Sequence, residues 1–390
     1  MTRPKTNGIS RTYSRLLSQM GRGIRIAGCT LKWNSPVNVI FHATMRCNAR
    51  CKMCLVWKKV WGPESENRNA MTIDQIERMT RSIGWLLRAE IVGGEPFLRK
   101  DIDEILFAFC RNCKPICLTI TSNGSLPQRI ADTMRQLFVA FPNQVVRVNL
   151  SVDGYGTQHD EIRKIPGLYE KCKESAARLR EIQKDYPNLT VNLMTVVSHY
   201  NHEGIEETIS KIENDFKPDF HSLMNAFGDT PEAVGRDVPI QDYVKLFSEV
   251  KGKRKLGKNL PLAAVSKVLD VFQSKIVEET KAQQRQVVPC VSGSRLLVID
   301  DDGVVKPCLE LQDSDMQKDG LPSVNMVNIG SYDFSVRRAM KDPHARKVAK
   351  FVQDGKCHCT AECYIIPSIL LSRRFFPKVA WATVKHLMGY

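Results

Sequence analysis

Between residues 37 and 225, short apolar runs typical of β-strands alternate with amphipathic runs typical of α-helices, and this alternation limits the possible folds most strongly. The strand-like runs cover residues 37–41, 89–92, 116–121, 146–152, 190–197 and 220–225. The helix-like runs between them cover residues 72–87, 102–110, 126–141, 169–186 and 205–216. Repeated strand–helix units predict an α/β fold with a parallel sheet and right-handed crossovers. We expect ligands to bind at the carboxyl ends of its strands.

The overall composition is that of a soluble globular protein. Hydrophobic residues make up 43% and charged residues 25% of the 390 residues, a length that suits more than one domain. No apolar run approaches the ~20 residues that a membrane-spanning helix needs. The N-terminus lacks the continuous apolar segment of a secretory signal. These features predict a cytoplasmic protein.

A cysteine-rich loop directly follows the first strand-like run. Cys47, Cys51 and Cys54 lie at C-x3-C-x2-C spacing, which brings three soft thiolate ligands within a short reach. A [4Fe–4S] cluster held by three thiolates keeps one iron open for an outside ligand, which is a catalytic arrangement. The same loop could hold zinc, with His42 as the nearest candidate for a fourth ligand.

The chain has thirteen cysteines, which in a reducing compartment indicate metal binding rather than disulfides. A second group lies near the C-terminus and comprises Cys290, Cys308, Cys357, Cys359 and Cys363. Cys110, Cys113 and Cys117 are also closely spaced. We expect Cys110 to end a helix and Cys117 to open a strand, where free thiols behave as small buried hydrophobes rather than ligands.

Motifs follow four of the predicted strands and lie in a fixed order. They are the cysteine loop, with Met53 as the apolar residue before its last cysteine, Gly93-Gly94-Glu95-Pro96, Thr121-Ser122-Asn123-Gly124 and Ser151-Val152-Asp153-Gly154, with Arg163 downstream. Over about residues 37 to 230 the chain therefore resembles the radical S-adenosylmethionine (radical SAM) superfamily. The resemblance implies a partial (β/α)6 TIM-like barrel that is open on one side.

The resemblance also implies roles for individual residues. Cys47, Cys51 and Cys54 would bind the catalytic [4Fe–4S] cluster, and S-adenosylmethionine (SAM) would bind its open iron. The residues implied to contact SAM are Gly93, Gly94 and Glu95 at the methionine amino group, Ser122 and Asn123 at SAM or substrate, Ser151 and Asp153 at ribose or carboxylate, Arg163 at the carboxylate, and Met53 near the adenine. A low-potential electron donor such as flavodoxin or ferredoxin would reduce the cluster.

From residue 287 the chain changes into a cysteine-bearing module. Two strand-like runs, 295–299 and 304–306, flank a turn in which Gly303 is placed for positive φ. The module resembles the auxiliary-cluster extension of the same superfamily, called SPASM in its full form and twitch in its shorter form. Five cysteines allow one auxiliary [4Fe–4S] cluster, and we favour Cys290, Cys308, Cys363 and Cys359 as ligands ahead of Cys357. Structural zinc at these cysteines is the alternative.

The net charge of +15 is concentrated at the two ends of the chain. Residues 1–63 hold 12 Lys and Arg with no acidic residue, and residues 364–390 hold four more. Residues 8–26 read as a basic amphipathic helix that packs on the barrel or lies on an anionic membrane surface. The apolar, basic tail 364–390 allows the same two interpretations. Nucleic acid is a less suitable partner, because no stacking aromatics lie between the N-terminal arginines.

Together these patterns predict a domain order and a reaction class. The predicted segments are 1–36 (basic N-terminal segment), 37–235 (barrel), 236–286 (helical linker), 287–363 (auxiliary-cluster domain) and 364–390 (basic apolar tail). The resemblance implies reductive cleavage of SAM to a 5′-deoxyadenosyl radical that takes a hydrogen atom from a substrate C–H. The substrate could be a lipid or lipid-linked sugar at the inner membrane face, or a peptide; a non-catalytic metal scaffold is the remote alternative.

Overall fold

The computed structural model describes residues 35–65, 69–236, 238 and 263–387. The predicted helix at 8–26 and about half of the linker predicted at 236–286 lie outside the described residues. Six strands form the barrel part of the chain, and their bounds are β1 Asn38–Thr44, β2 Arg88–Gly93, β3 Cys117–Ser122, β4 Val146–Ser151, β5 Leu189–Val197 and β6 Phe220–Asn225. Three further strands follow: β7 Leu296–Ile299, β8 Val304–Lys306 and β9 Val327–Asn328.

All nine strands belong to one sheet, in the order β6-β5-β4-β3-β2-β1-β7-β8-β9. Strands β1 to β6 pair in parallel, each with its sequence neighbour, as the strand–helix alternation predicts. Strands β6 and β9 form the two edges of this sheet, so it does not close on itself. The prediction of an α/β fold with a partial parallel barrel is confirmed.

Helices connect the strands and cover the outer face of the sheet. Their bounds are α1 Trp57–Val60, α2 Ile73–Ile83, α3 Ile102–Ala108, α4 Pro127–Ala140, α5 Thr157–Arg163, α6 Leu168–Asp185, α7 Ile205–Phe216, α8 Ala263–Gln283, α9 Asp313–Gln317, α10 Val336–Ala339, α11 Pro343–Gln353, α12 Glu362–Leu371 and α13 Phe376–Leu387. The apolar stripes of α2, α3, α4, α6 and α11 share one large core with the strands. None of the described helices is long and apolar enough to cross a membrane.

Two predicted helices differ in detail from the structure. After Ala108 the helix widens into a π-helical turn, Phe109–Cys113, which ends at Lys114 with a left-handed φ of 43°. Cys110 and Cys113 are buried in the core, as expected of structural thiols. The second is the C-terminal helix that the sequence predicts near residues 334–348; in the structure it is two helices, α10 and α11, because Asp342 accepts hydrogen bonds from two backbone N–H groups as a cap that starts α11.

The C-terminal module extends the barrel sheet. Strand β7 pairs in parallel with β1, and β7 and β8 form the expected antiparallel hairpin. Its turn contains Gly303 at a φ of 84°, a conformation that glycine adopts without strain. Farther along, α8, α12 and α13 pack against one another around a second apolar cluster. The second cysteine group is thereby attached directly to the strand that carries the first.

Candidate active site

The cysteine loop lines a cavity of about 460 Å³ at the carboxyl ends of the barrel strands. Cys47, Cys51 and Cys54 all line it. The loop is fixed by backbone hydrogen bonds, because the amide of residue 50 donates to the Arg163 carbonyl at 3.2 Å and that of Lys52 donates to the residue 162 carbonyl at 3.0 Å. The three sulfur atoms are thus held at one end of the cavity by both β1 and α5.

The chemistry of the three thiols suits a soft metal group. Burial raises the pKa of Cys47 to about 11 and also raises the pKa values of Cys51 and Cys54. The pKa values of Cys47 and Cys54 are raised further by the charge that neighbouring cysteines of the loop would carry as thiolates. Such thiols hold their protons when free and release them on metal binding, because metals bind the thiolate form. The donor set therefore fits the iron–sulfur cluster that the spacing predicts.

The two glycines after β2 lie directly against the cysteine loop. Gly93 has a φ of 143°, and a Cβ atom there would lie 2.2 Å from the Thr44 carbonyl oxygen. A Cβ atom on Gly94 would lie 2.3 Å from the Arg46 carbonyl oxygen. The Gly94 amide donates to Thr44 at 2.7 Å, and both glycines line the cavity. Only glycine allows this approach, which exposes backbone atoms to the cavity.

Glu95 lies behind the cavity wall and is fully buried. Its carboxylate accepts hydrogen bonds from the Ser122 hydroxyl at 2.9 Å, from the Asn123 amide at 2.6 Å and from the Phe97 amide at 3.2 Å. Burial raises the pKa of Glu95 to about 7, although these hydrogen bonds lower it. Its contact with a methionine amino group stays a prediction. In the structure the carboxylate positions the residues that follow β3.

Ser122 and Asn123 reach the cavity through that arrangement. The side-chain amide of Asn123 donates to the Asn48 side chain at 2.8 Å and lies 4.0 Å from the Cys47 sulfur. The third motif is thereby tied to the cysteine loop. The hydrogen bonds to Glu95 join the second motif to the third, as the sequence predicts.

The fourth motif supplies a buried ion pair. Asp153 is fully buried and accepts a hydrogen bond from Arg163 Nε at 2.6 Å and another from the Val196 amide at 2.8 Å. Burial acts to lower the pKa of Arg163, but Asp153 and the Cys51 thiolate raise it overall. Arg163 and Ser151 line the cavity. Asp153 holds the guanidinium in place, and its own predicted contact with SAM stays a prediction.

Met53 lies where an apolar contact with a bound group is available. It is buried against Ile162 and Ala226, and it also lines the cavity. Its unbranched side chain can adapt to a flat ring. This placement fits the predicted contact with adenine.

A buried charge network beside the cysteine loop was missed by sequence reasoning. His42 Nδ1 lies 2.6 Å from Asp300 Oδ1, and Lys59 and Lys306 also pair with Asp300. His42 lines the cavity. In the described part of the chain, no three His, Cys, Asp or Glu side chains converge closely enough to hold a single metal ion.

A second cavity, of about 470 Å³, lies between the C-terminal hairpin and the loop after α11. Four cysteines line it, namely Cys290, Cys308, Cys357 and Cys359. Cys363 lines the barrel cavity instead; burial raises the pKa of its thiol, and the charges of Glu90, Arg88, Glu310 and Cys308 also act on it. The structure therefore favours Cys357 over Cys363 as the fourth ligand. The full ligand set stays a prediction.

This placement gives a test of the auxiliary ligand set. After anaerobic reconstitution, Cys357→Ser is expected to lose one cluster, so that its iron content falls from about eight to about four per chain. Cys363→Ser is the matched control in the same loop and is expected to keep both clusters. Iron analysis and electron paramagnetic resonance of the reduced proteins measure this. Loss of a cluster in Cys363→Ser but not in Cys357→Ser would show that Cys363, and not Cys357, is the ligand.

Sequence reasoning also missed a polar layer inside the barrel. Its members line the same cavity and comprise Arg88, Glu90, Arg147, Asn149 and Asn192. The signal is visible in retrospect, because Arg88 and Glu90 occupy alternate positions of β2, Arg147 and Asn149 occupy alternate positions of β4, and Asn192 lies on β5 opposite Asn149. Period-two polarity in a strand usually marks a solvent face. Here it marks the lining of a cavity.

Comparisons with known proteins agree with this geometry. The sequence profile of the Radical SAM superfamily matches residues 42–212. The chain is 23% identical over 278 residues to the antilisterial bacteriocin subtilosin biosynthesis protein AlbA of Bacillus subtilis (strain 168), an alignment that covers 70% of this chain. It spans only 55%, about half, of the length of that relative.

Two solved structures share the fold. The crystal structure of Streptococcus suis SuiB superposes with a TM-score of 0.57 and 17% identity, over 90% of this chain and 75% of SuiB. Native anSMEcpe with bound AdoMet and Cp18Cys peptide superposes with a TM-score of 0.53 and 15% identity, over 90% of this chain and 99% of anSMEcpe. At these identities the likeness concerns the fold alone.

Proposed function

The chain carries a radical SAM domain over residues 42–212, and from this premise we propose that it is an enzyme that reductively cleaves SAM and takes a hydrogen atom from a substrate C–H. The observation that carries the proposal is the convergence of three thiols, the Gly93-Gly94 backbone and Arg163 on one cavity. When bound, an iron–sulfur cluster and SAM supply an electron and a 5′-deoxyadenosyl radical. The protein binds, orients and shields these groups.

Different residues of the cavity would bind the cluster and the groups of SAM. Cys47, Cys51 and Cys54 would hold the cluster. Arg163, kept in place by buried Asp153, presents a guanidinium that suits the methionine carboxylate. The backbone at Gly93 and Gly94 can accept a close ammonium group because no side chain intervenes. The four motifs thus form one binding surface for an amino acid–nucleotide conjugate.

The second cysteine group suits an electron relay. Four thiols on one cavity would complete the coordination of an auxiliary cluster and leave no iron open. Such a cluster would accept or pass on the electron of a substrate radical, which makes a two-electron oxidation or a bond formation possible. We propose flavodoxin or ferredoxin as the donor that reduces the first cluster.

For the substrate we propose a lipid or a lipid-linked sugar. One side of the barrel cavity is apolar and is lined by residues of α8 and α12 and of the loops after β6 and β8, namely Leu269, Ile366, Phe227 and Leu309. A wall of this kind binds an acyl or prenyl chain by burying it from water.

Helix α13 supports placement of the enzyme at a membrane surface on the cytoplasmic side. Its inner face packs through Val379, while Phe376 and Trp381 are 53% and 61% exposed. Lys378 and Lys385 are exposed on the same helix. Aromatic side chains beside lysines suit the boundary between anionic head groups and acyl chains.

A peptide is the second candidate substrate, because the known relatives point to it. AlbA is named for the biosynthesis of a bacteriocin, and anSMEcpe was solved with a bound peptide. AlbA aligns with 70% of this chain at 23% identity, and anSMEcpe superposes on 90% of it. Either substrate class would enter the same cavity.

The first test is whether the chain cleaves SAM. Anaerobically reconstituted protein with dithionite and SAM is expected to form 5′-deoxyadenosine, measured by liquid chromatography. If no 5′-deoxyadenosine appears while both clusters are present, the chain is a metal-binding scaffold and the proposed reaction is wrong.

The second test separates the two substrate classes. The protein is expected to sediment with phosphatidylglycerol vesicles at low salt. The double variant Phe376→Ser/Trp381→Ser is expected to bind at least about tenfold more weakly, because two large apolar groups no longer insert. Val139→Ser on α4, which replaces a valine that is 77% exposed, is the control and is expected to bind like the wild type. Absence of vesicle binding would leave the peptide as the substrate.

A further inference from the structure

The barrel cavity extends from the cysteine loop toward the starts of the strands, where the polar layer that includes Arg88 and Arg147 lines it. Arg147 precedes Ser151 by four residues on β4, which corresponds to about 13 Å along a strand. Arg88 lies at the start of β2. The polar layer is therefore the floor of the cavity, opposite the end where the SAM motifs converge.

Arg147 is the cation of this floor that lacks a carboxylate partner. No described carboxylate forms an ion pair with it, and its Nε has no hydrogen-bond partner. The ring centre of Phe220 lies 5.9 Å from its guanidinium carbon. Burial lowers the pKa of Arg147. A guanidinium kept charged at such a site is stabilised by an anion.

The neighbouring charges do not neutralise it. Arg88 pairs with Glu90 at 3.0 Å, so that these two side chains cancel each other. Asp219 also lines the cavity but pairs with Arg180 at 2.8 Å. One full positive charge therefore remains on the cavity floor.

The strand next to that of Arg147, β5, carries a side-chain oxygen that accepts no hydrogen bond, on Asn192. Asn192 is 1% exposed, and its Oδ1 has no hydrogen-bond partner. Its amide nitrogen donates to Asn149 Oδ1 at 3.4 Å, and the Asn149 amide donates in turn to Thr121 at 3.3 Å. This chain of hydrogen bonds fixes the orientation of both amides and directs the free oxygen toward a ligand that carries an O–H or N–H group.

We propose that Arg147 and Asn192 form a substrate subsite that binds an anionic group, phosphate or carboxylate, flanked by a hydrogen-bond donor. This inference rests on the proposed function, in which the barrel cavity takes the substrate. The polar end of the substrate binds at the floor, and its apolar part lies along Leu269 and Ile366. The segment between them faces the cysteine loop, where the hydrogen atom is taken. A sugar phosphate and a uronic acid both have the required polar chemistry.

The test uses the reconstituted full chain and three sugars of one shape, namely glucose 1-phosphate, glucuronate and glucose. Binding is measured by equilibrium dialysis. At least one charged sugar is expected to bind at least about tenfold more tightly than glucose, because charge-assisted hydrogen bonds to a partly buried guanidinium are strong. The better of the two charged sugars identifies the anion as phosphate or carboxylate. Equal binding of all three would overturn the proposal without any variant.

Variants of Arg147 then test whether the charged sugar binds at the floor of the cavity. Arg147→Gln is expected to weaken binding of the charged sugar about 10- to 100-fold, while Arg147→Lys, which keeps the charge, weakens it less. Arg178→Gln, on the outer face of α6, is expected to bind like the wild type. Circular dichroism and iron content check folding, and if Arg147→Gln does not fold, the comparison of Arg147→Lys with wild type decides. Unchanged affinity in the folded Arg147 variants would overturn the subsite.

These outcomes are distinct from those of the proposed function. A protein that forms 5′-deoxyadenosine normally but binds the charged sugars no better than glucose contradicts the subsite alone. A protein that binds glucose 1-phosphate or glucuronate through Arg147 but forms no 5′-deoxyadenosine supports the subsite and contradicts the proposed reaction.

Discussion

Replacing Cys51 with serine is expected to abolish formation of 5′-deoxyadenosine, with a loss of more than about 1,000-fold, as is found when one member of an essential catalytic set is removed. Cys51 is the middle ligand of the loop, and its sulfur lines the cavity beside Arg163. A serine hydroxyl is a hard, weakly acidic donor that binds iron–sulfur clusters poorly. The reconstituted variant should therefore lack the absorbance and iron of one cluster.

A matched control tests whether the loss is specific to a cysteine of the loop rather than to any buried thiol. Cys110→Ser replaces another buried thiol, which lies in the core at the end of α3 and far from any motif. It is expected to lose some stability but to keep both clusters and normal cleavage of SAM. If Cys51→Ser still formed 5′-deoxyadenosine at the wild-type rate, the loop would not hold the catalytic cluster. The assignment of all three cysteines would then be wrong.

The barrel and the approximate place of the site could be predicted because both depend on local patterns. Each strand–helix unit shows its own period of hydrophobicity, and a parallel sheet with right-handed crossovers has few topologies. Since every motif follows a strand, the carboxyl edge of the sheet brings the motifs together. The hydrogen bonds from Gly94 to Thr44 and from Asn123 to Asn48 confirm this convergence.

Contacts between distant parts of the chain could not be predicted. The spacing in C-x-C-x3-C does not say which thiol turns toward the hairpin, and tertiary packing turns Cys363 toward the barrel. The motif that contains Glu95 likewise does not reveal that its carboxylate accepts hydrogen bonds from Phe97, Ser122 and Asn123. The pairing of His42 with Asp300 spans 258 residues and follows only from the alignment of β7 beside β1.

That pairing has a large expected effect on stability. Asp300 is 1% exposed, and burial alone would raise its pKa. The hydrogen bond from His42 and the charges of Lys306 and Lys59 instead hold the pKa of Asp300 well below its usual range. The carboxylate is therefore the common partner of three donors that link β1, the segment after the cysteine loop, and the C-terminal hairpin.

Asp300→Asn is accordingly expected to lower the free energy of unfolding by about 3–5 kcal/mol, because it removes the buried carboxylate that His42, Lys59 and Lys306 share. Asp333→Asn, at a carboxylate that is 62% exposed and pairs with Arg78, is the control, with an expected cost of about 0–1 kcal/mol. Urea unfolding of the holoprotein measures both.

Since the pKa of Asp300 is depressed by folding, the contribution of Asp300 to the free energy of unfolding is present above the ordinary carboxyl pKa and is lost as the pH falls below it. The difference between wild type and Asp300→Asn should therefore shrink below about pH 4, and a difference that stays constant to lower pH would show that Asp300 stabilises by packing rather than by charge.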